Sequence, residues 1–199
     1  MLYILKSRYI RNVVFRRKYV YYQINSEKVV FKLGYYDVAQ ICMNGHVINE
    51  RYKESPDHNQ EFCDKCGEKT ITKCENCGAE IRGRYKMPGI ADFRPKQEKV
   101  PKYCYNCGKM YPWTKSKLQA LNEVIDLVDE LEDDDKNELK EASELISTDT
   151  PRTQVGVLKI KKYTDKISGA IGEKVQDLIV DIASETAIKS MKEIGMLPK

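Results

Sequence analysis

Long apolar segments are missing from this sequence. No apolar run approaches the roughly 20 residues that a membrane-spanning helix needs, so we expect no contact with a membrane. The N-terminal stretch Met1–Leu5 is followed by Lys6, Arg8 and Arg11, whereas a secretory signal peptide needs an unbroken apolar core and a small-residue cleavage site. The sequence therefore predicts a cytoplasmic protein.

Signatures of catalysis are also missing. The chain has two histidines, and no nucleophile with its base stands out in the sequence. It has no glycine-rich phosphate-binding loop and no conspicuous pair of acidic residues. We therefore expect a protein that is not an enzyme, and an unrecognised active site is the competing interpretation.

The seven cysteines are an odd number, which argues against a closed disulfide framework. Six of them form three Cys-x-x-Cys pairs, each followed at once by glycine, and the seventh precedes a histidine by four positions. If that Cys/His unit is a fourth pair, the chain offers eight ligands, enough for two tetrahedral zinc ions. The predicted ligands are Cys42, His46, Cys63, Cys66, Cys74, Cys77, Cys104 and Cys107.

The spacing within each pair has a physical reason. Two thiolates three positions apart on a tight turn can both lie about 2.3 Å from one zinc ion. Glycine after the second ligand adopts the positive φ that such a turn requires, without steric penalty. These turns are zinc knuckles, and two knuckles on adjoining hairpins form a zinc ribbon. Because four protein ligands fill a tetrahedral site, we expect structural zinc.

The four pairs can be grouped in two ways. In chain order, one site holds Cys42, His46, Cys63 and Cys66, and the other holds the remaining four cysteines; in a cross-braced arrangement, alternate pairs share an ion. The loop lengths permit both, but the seven residues between the sites suit a single strand, Lys69–Lys73, which favours chain order. A rubredoxin-like iron is the competing metal for the all-cysteine site, and His58 is interpreted as a surface loop residue.

The cysteine motifs and their surroundings resemble a known family. The stretch Tyr36-Asp-Val-Ala-Gln-Ile-Cys-Met-Asn-Gly-His46 is similar to the opening of small bacterial proteins described as a domain of unknown function. The resemblance continues through Phe62–Gly67, Ile81–Gly83 and Tyr103–Gly108, and more loosely into the C-terminal tail. It implies a double zinc ribbon followed by helices, and it implies no particular activity.

Charge is distributed unevenly along the chain. The formal charge is +7 over residues 1–34, +3 over 35–116 and −6 over 117–199. Seven thiolates with two Zn²⁺ ions would add −3 and bring the middle region to about zero. This works against a general DNA-binding role, because nonspecific affinity comes from neutralising phosphates.

Two segments are nevertheless locally basic. In the first, residues 1–34, the alternation of Val20, Tyr22 and Ile24 predicts a β-hairpin that turns near Asn25-Ser26. An artefact of the assigned start and a nucleic-acid-binding arm are the other two interpretations of this segment. The second, residues 80–102, carries a net charge of +4, and its candidate contacts to RNA or single strands are Arg82, Arg84, Lys86, Arg94 and Lys96.

From Thr114 onward, apolar residues recur at steps of three and four, which predicts helices. We expect four of them, with the third starting at Thr150-Pro151 and the last covering about 173–194. Gly169 and Gly172 are expected to interrupt the pattern before the last helix. That helix is apolar on more than one side, which core packing explains best; a surface for a homodimer or for a protein partner is the second interpretation.

Together these features predict an α+β protein. Residues 1–34 form a basic extension, 35–113 tandem zinc-ribbon hairpins and 114–199 an α-helical domain. The predicted function is a bacterial zinc-binding interaction or adaptor protein whose helical domain docks to an unknown protein partner. The alternative is binding of RNA or single-stranded nucleic acid through the loop 80–102.

Overall fold

In the computed structural model, the chain divides into two compact units, residues 1–107 and 108–199. The structure describes residues 10–16, 19–24, 27–90, 92 and 100–198. Within these residues the first unit contains short antiparallel strands and the second contains five helices. The predicted α+β class is therefore confirmed.

A three-stranded antiparallel sheet opens the first unit. Its strands are β1 (Ile10–Arg16), β2 (Tyr19–Ile24) and β3 (Glu27–Lys32), in that spatial order. Tyr19 pairs with Lys32 and Ile24 with Glu27, so the predicted hairpin is confirmed; its turn residues, 25 and 26, lie outside the described residues. Strand β1 is not predicted by the alternation pattern, because its adjacent apolar residues do not alternate with polar ones.

Five further strands follow, all of them short. They are β4 (Tyr35–Val38), β5 (Gln40–Cys42), β6 (Val47–Asn49), β7 (Thr70–Ile71) and β8 (Arg82–Lys86). Strand β4 pairs with β8, and β5 lies between β6 and β7. The predicted strand near Thr70 is therefore present as β7.

A small core joins these strands, and it includes Val38, Ala39, Ile41 and Ile81. Beside this core the backbone at Gly83 lies so close to the backbone at Glu50 that a Cβ on Gly83 would overlap the carbonyl oxygen of Glu50. Few large apolar side chains are buried in this part of the described chain. The ribbon region therefore needs another source of folding free energy, and metal binding is one such source.

The second unit is a bundle of five helices. They are α1 (Pro112–Asp126), α2 (Asp133–Ile146), α3 (Thr153–Thr164), α4 (Gly169–Ile182) and α5 (Glu185–Glu193). Their apolar faces form one core, in which the fully buried members include Leu121, Ile125, Leu139, Ala142, Ile146, Ile160 and Val175. None of the helices in the described part of the chain is both long enough and apolar enough to cross a bilayer.

The prediction of a single C-terminal helix over residues 173–194 is wrong, because the chain forms two helices, α4 and α5, in this region. Ala183 is extended between them, and the N–H of Ser184 donates to the carbonyl oxygen of Ile146 at 2.7 Å. The hydroxyl of Ser184 accepts from the N–H of Ala187, which caps α5. Gly169 and Gly172 do not break a helix; Gly169 begins α4 with φ +69°, and Gly172 lies within it.

Helix α3 begins at Thr153, later than the predicted start at Thr150-Pro151. The hydroxyl of Thr153 accepts from the N–H of Thr150 at 2.9 Å and donates to the carbonyl oxygen of Thr148 at 2.7 Å. These bonds hold the chain in a turn before the helix. The buried face of α3 includes Val157, Ile160 and Tyr163, whereas Val155 and Leu158 are exposed.

We predict that Gly156→Ala destabilises the helical unit. A Cβ at this position would lie 2.9 Å from the Cβ of Leu145 and 3.1 Å from the carbonyl oxygen of Ala142, so α2 and α3 would have to separate. Overpacking of this kind costs about 1–3 kcal/mol, although glycine to alanine in an open helix position is stabilising. Urea unfolding followed by helical circular dichroism measures the change.

Gln154→Ala is the matched control for this variant, because Gln154 is an exposed residue of the same helix. Its unfolding free energy should stay within about 0.5 kcal/mol of the parent protein. If Gly156→Ala is as stable as Gln154→Ala, the close contact between α2 and α3 is not a constraint.

Candidate metal centres

Two groups of cysteine and histidine side chains converge in the first unit. The first group, which we call site A, contains Cys42, His46, Cys63 and Cys66, and their ligand atoms all lie within 4.8 Å of one another. The Nδ1 atom of His46 is 3.5 Å from the sulfur of Cys42 and 3.5 Å from that of Cys63. The sulfurs of Cys42 and Cys66 are 3.8 Å apart.

The second group, site B, contains Cys74, Cys77, Cys104 and Cys107 within the same limit. The sulfurs of Cys74 and Cys107 are 3.8 Å apart, and those of Cys77 and Cys104 are 3.7 Å apart. Each group thus combines two consecutive pairs of the sequence. This is the chain-order grouping, and the structure does not have the cross-braced one.

These distances fit a tetrahedral ion. With bonds of about 2.3 Å to sulfur and about 2.0 Å to nitrogen, a tetrahedron has sulfur–sulfur edges of about 3.8 Å and sulfur–nitrogen edges of about 3.5 Å. The observed edges of 3.7–3.8 Å and 3.5 Å match both values. They are far longer than the roughly 2.05 Å of a disulfide. The donor sets and their geometry therefore fit zinc.

The knuckles are built by the same backbone pattern. The N–H groups of Cys63 and Cys74 each donate to the carbonyl group five residues ahead, at 2.8 Å. The glycine four residues after each of them donates back to the cysteine carbonyl, also at 2.8 Å. Gly67 and Gly78 have φ of +74° and +72°, so the turn requires a conformation that other residues rarely adopt.

Site A has a different first pair. Gly45, with φ +88°, lies between its two ligands, and the N–H of His46 donates to the sulfur of Cys42 at 3.2 Å. A strand bond from the N–H of Cys42 to the carbonyl oxygen of His46 closes this turn. The side chain of His46 therefore approaches the sulfurs through Nδ1, a choice of nitrogen that the sequence alone did not specify.

The surroundings of the thiols differ within each site. Burial raises the pKa of the Cys42 and Cys74 thiols to about 11, whereas the backbone N–H of Glu68 lowers the pKa of Cys66 to about 6. For Cys104, burial acts to raise the pKa, but the N–H groups of Asn106 and Cys107 outweigh it and give about 6. At neutral pH the metal-free sets therefore keep protons that a divalent ion must displace, which makes metal binding weaker at lower pH.

His58, the second histidine, lies in a single 3₁₀ turn, Pro56–His58, and is exposed. It belongs to neither group of ligands. This agrees with its interpretation as a surface loop residue.

A comparison with protein-family models gives a match over most of the chain. Residues 35–191 match the model of a family described as an uncharacterized protein conserved in bacteria (DUF2321). The chain belongs to this family. The matched region contains both metal sites and most of the helical unit, and the strands β1–β3 lie before it. No curated protein and no solved structure matches the chain.

The basic candidates of this family member have different surroundings. Arg84 is buried, with 6% of its surface exposed. Its Nη1 donates to Glu50 at 2.5 Å, and its Nε and Nη2 donate to the two carboxylate oxygens of Asp92 at 2.6 and 3.2 Å. These bonds, to Asp92 and then to Glu50, raise the pKa of Arg84 above its ordinary value. The side chain thus links elements of the ribbon unit and is not displayed to solvent.

Lys86 forms an ion pair with Glu54 and is half-buried. Arg82 is exposed, and its guanidinium lies over the rings of Tyr36 and Tyr105. Arg94 and Lys96 lie outside the described residues. The three candidates that the structure describes therefore have different surroundings. They do not form one continuous basic surface. The sequence offered no signal for the burial of Arg84, because its partners are 34 and eight residues away.

We predict that His46→Ala lowers the metal content of the purified protein from about two ions to about one per chain. The variant removes the nitrogen ligand of site A and leaves the four sulfurs of site B. His58→Ala is the matched control, and it should keep about two ions. Elemental analysis by mass spectrometry measures both, and equal metal loss in the two variants would contradict the assignment of His46.

We predict that Arg84→Met destabilises the ribbon unit by about 3–5 kcal/mol, because it removes the cation from buried carboxylates. Arg82→Met, on the same strand but exposed, should cost no more than about 1 kcal/mol. The unfolding of this unit in urea is measured by the release of zinc to a chromogenic chelator. Similar midpoints for the two variants would show that the ion pairs of Arg84 do not stabilise the unit.

Proposed function

We propose that this protein is a zinc-binding interaction protein that holds two structural zinc ions and is not an enzyme. The observation that carries the proposal is the pair of four-ligand groups, each with edges that fit a tetrahedral zinc ion. An ion with four protein ligands has no open position for a substrate or a catalytic water. The metal then stabilises the ribbons and supplies no reaction step.

The donor atoms support zinc over other metals. Site A has three sulfurs and one imidazole nitrogen, and site B has four sulfurs. Tetrahedral sets of thiolate and imidazole are typical of zinc, whereas four thiolates also suit iron. Elemental analysis therefore has a specific role at site B, where iron in place of zinc would overturn this part of the proposal.

The proposed docking surface for a protein partner lies on α3. Val155 and Leu158 are three residues apart, and therefore on the same side of the helix. They are 46% and 60% exposed, although the other apolar residues of α3 face the core. The core therefore leaves these two apolar side chains of α3 uncovered, and burial against a partner would remove their apolar surface from water. The partner is a bacterial protein or a second copy of the chain.

The test compares the wild-type chain with the double variant Val155→Asp/Leu158→Asp. Tagged protein is purified from its bacterial host, and the proteins retained with it are quantified by mass spectrometry. We expect a specific set of proteins, or a dimer in light scattering, that is lost in the double variant, because charges are not tolerated in an apolar contact.

Gln154→Asp is the matched control, since it adds a charge at an exposed position of the same helix. It should keep the partner. If the double variant retains the same proteins and the same oligomeric state as the control, α3 is not the docking surface. Both variants should keep about two metal ions, so that a loss of partner is distinct from a loss of fold.

A cytoplasmic location, which the sequence predicts, is part of the same proposal. A reducing compartment keeps thiols available as ligands. Nucleic-acid binding through the loop 80–102 is the alternative function. Among its candidates on β8, Arg84 and Lys86 contact carboxylates of the ribbon unit and Arg82 contacts tyrosine rings, whereas Arg94 and Lys96 lie outside the described residues.

A further inference from the structure

The ribbon unit has an exposed aromatic surface that neither the metal sites nor α3 explains. It consists of Tyr36, Tyr85, Tyr105 and Arg82, and we call it the tyrosine–arginine surface. The three tyrosines are 51%, 36% and 54% exposed, respectively, and Arg82 is exposed as well. Exposed aromatic side chains that contact one another mark a binding surface more often than scattered ones do.

The four side chains form a continuous series of contacts. The ring centres of Tyr36 and Tyr85 are 5.0 Å apart, with an angle of 59° between the planes. The guanidinium carbon of Arg82 lies 5.0 Å from the ring centre of Tyr36 and 3.8 Å from that of Tyr105. The guanidinium thus bridges two aromatic rings that come from distant parts of the sequence.

The backbone fixes the positions of these rings. Tyr36 and Tyr85 are directly paired across β4 and β8, and a Cβ on Gly34 would overlap the hydroxyl of Tyr85. Gly34 therefore leaves the space that the Tyr85 side chain occupies. Tyr105 lies between Cys104 and Cys107, so its position depends on the turn that forms half of site B.

Arg82 differs from the other basic residues of β8. Arg84 and Lys86 have carboxylate partners, whereas the interactions of Arg82 within the described part of the chain are with ring faces. Stacking on a ring leaves the N–H edge of a guanidinium available for a further hydrogen bond. The surface therefore offers flat aromatic faces next to a positive charge that no described carboxylate contacts.

We propose that the tyrosine–arginine surface binds single-stranded nucleic acid. Bases would stack on the exposed tyrosines, and the Arg82 guanidinium would contact a backbone phosphate. A nucleotide carries both an aromatic face and an anion, the two features that this surface complements. In a duplex the base faces are covered by their neighbours, so a single strand is the form that fits.

This inference goes beyond the proposed interaction through α3, and each stands if the other fails. It also differs from binding by a basic loop, which would depend on net positive charge. The ribbon region has nearly no net charge once its thiolates and zinc ions are counted, so base stacking would supply most of the affinity. One phosphate contact to a single strand gives a slope of about −0.7 in a plot of log affinity against log salt concentration. We expect a slope of that size in the wild-type protein, and a slope near zero for Arg82→Gln.

The experiment uses the full zinc-loaded chain and fluorescein-labelled oligo(U), oligo(dT) and a duplex, each of about 12 nucleotides per strand. Fluorescence anisotropy measures affinity. We expect both single strands to bind at least about tenfold more tightly than the duplex, because stacking needs free bases. Tighter binding of oligo(U) than of oligo(dT) would identify RNA as the preferred ligand. Equal affinity for the two would show that the protein does not distinguish ribose from deoxyribose.

The variants Tyr36→Leu and Tyr105→Leu should each weaken binding roughly tenfold, since a loss of one base stack has about this effect. Tyr36→Phe keeps the ring and should bind within about twofold of the wild type. Phe62→Leu is the control, because Phe62 is a 57% exposed aromatic residue that directly precedes Cys63 of site A and lies outside the surface.

Several outcomes would overturn the proposal. They are no binding of either single strand, equal binding of the duplex, unchanged affinity in the leucine variants, or an equal loss in Phe62→Leu. Loss of a protein partner in Tyr36→Leu without any oligonucleotide binding would identify a protein interface. Each variant must keep about two metal ions. If Tyr105→Leu loses metal, this variant is replaced by photocrosslinking of iodouridine-containing oligo(U) to the wild-type chain. The absence of crosslinks at Tyr36 and Tyr105 would then refute the proposal.

Discussion

The convergence of four potential ligand atoms at each of sites A and B is the constraint on which the ribbon unit depends. Thiolate sulfurs 3.7–3.8 Å apart repel one another unless a cation lies between them. The strands around them are two to five residues long in β4–β8, and the buried apolar core beside them is small. Binding of a metal would therefore be coupled to the folding of this region, as it usually is in small zinc domains.

The metal sites also determine what the surface can present. The knuckle that contributes Cys104 and Cys107 places Tyr105 against Arg82, and the pairing of β4 with β8 places Tyr36 beside Tyr85. A buried network of Arg84 with Glu50 and Asp92 holds other parts of the same unit. Two arginines of one strand thus have different surroundings, a pair of carboxylates for Arg84 and two tyrosine rings for Arg82, although their sequence contexts are alike.

The sequence was sufficient to predict the two clusters of cysteine and histidine side chains and the α+β class, because both depend on local spacing. Cysteines three positions apart before glycine form the same turn wherever they occur, and the helical periodicity after Thr114 is equally local. The burial of Arg84 could not be predicted from the sequence, since it depends on a carboxylate 34 residues away. The break between α4 and α5 had a local signal that was overlooked: Ser184 is a residue type typical of a helix N-cap, but the apolar pattern continues past it.

Each metal site has an inner and an outer sulfur. Cys42 and Cys74 are buried, whereas Cys66 and Cys77, one from each site, are exposed. Small molecules in solution that compete for a bound ion, such as chelators or free thiols, would therefore reach it from the side of the exposed cysteine. We expect exchange of a bound metal to begin at these two surface cysteines and not at the thiols that anchor the core.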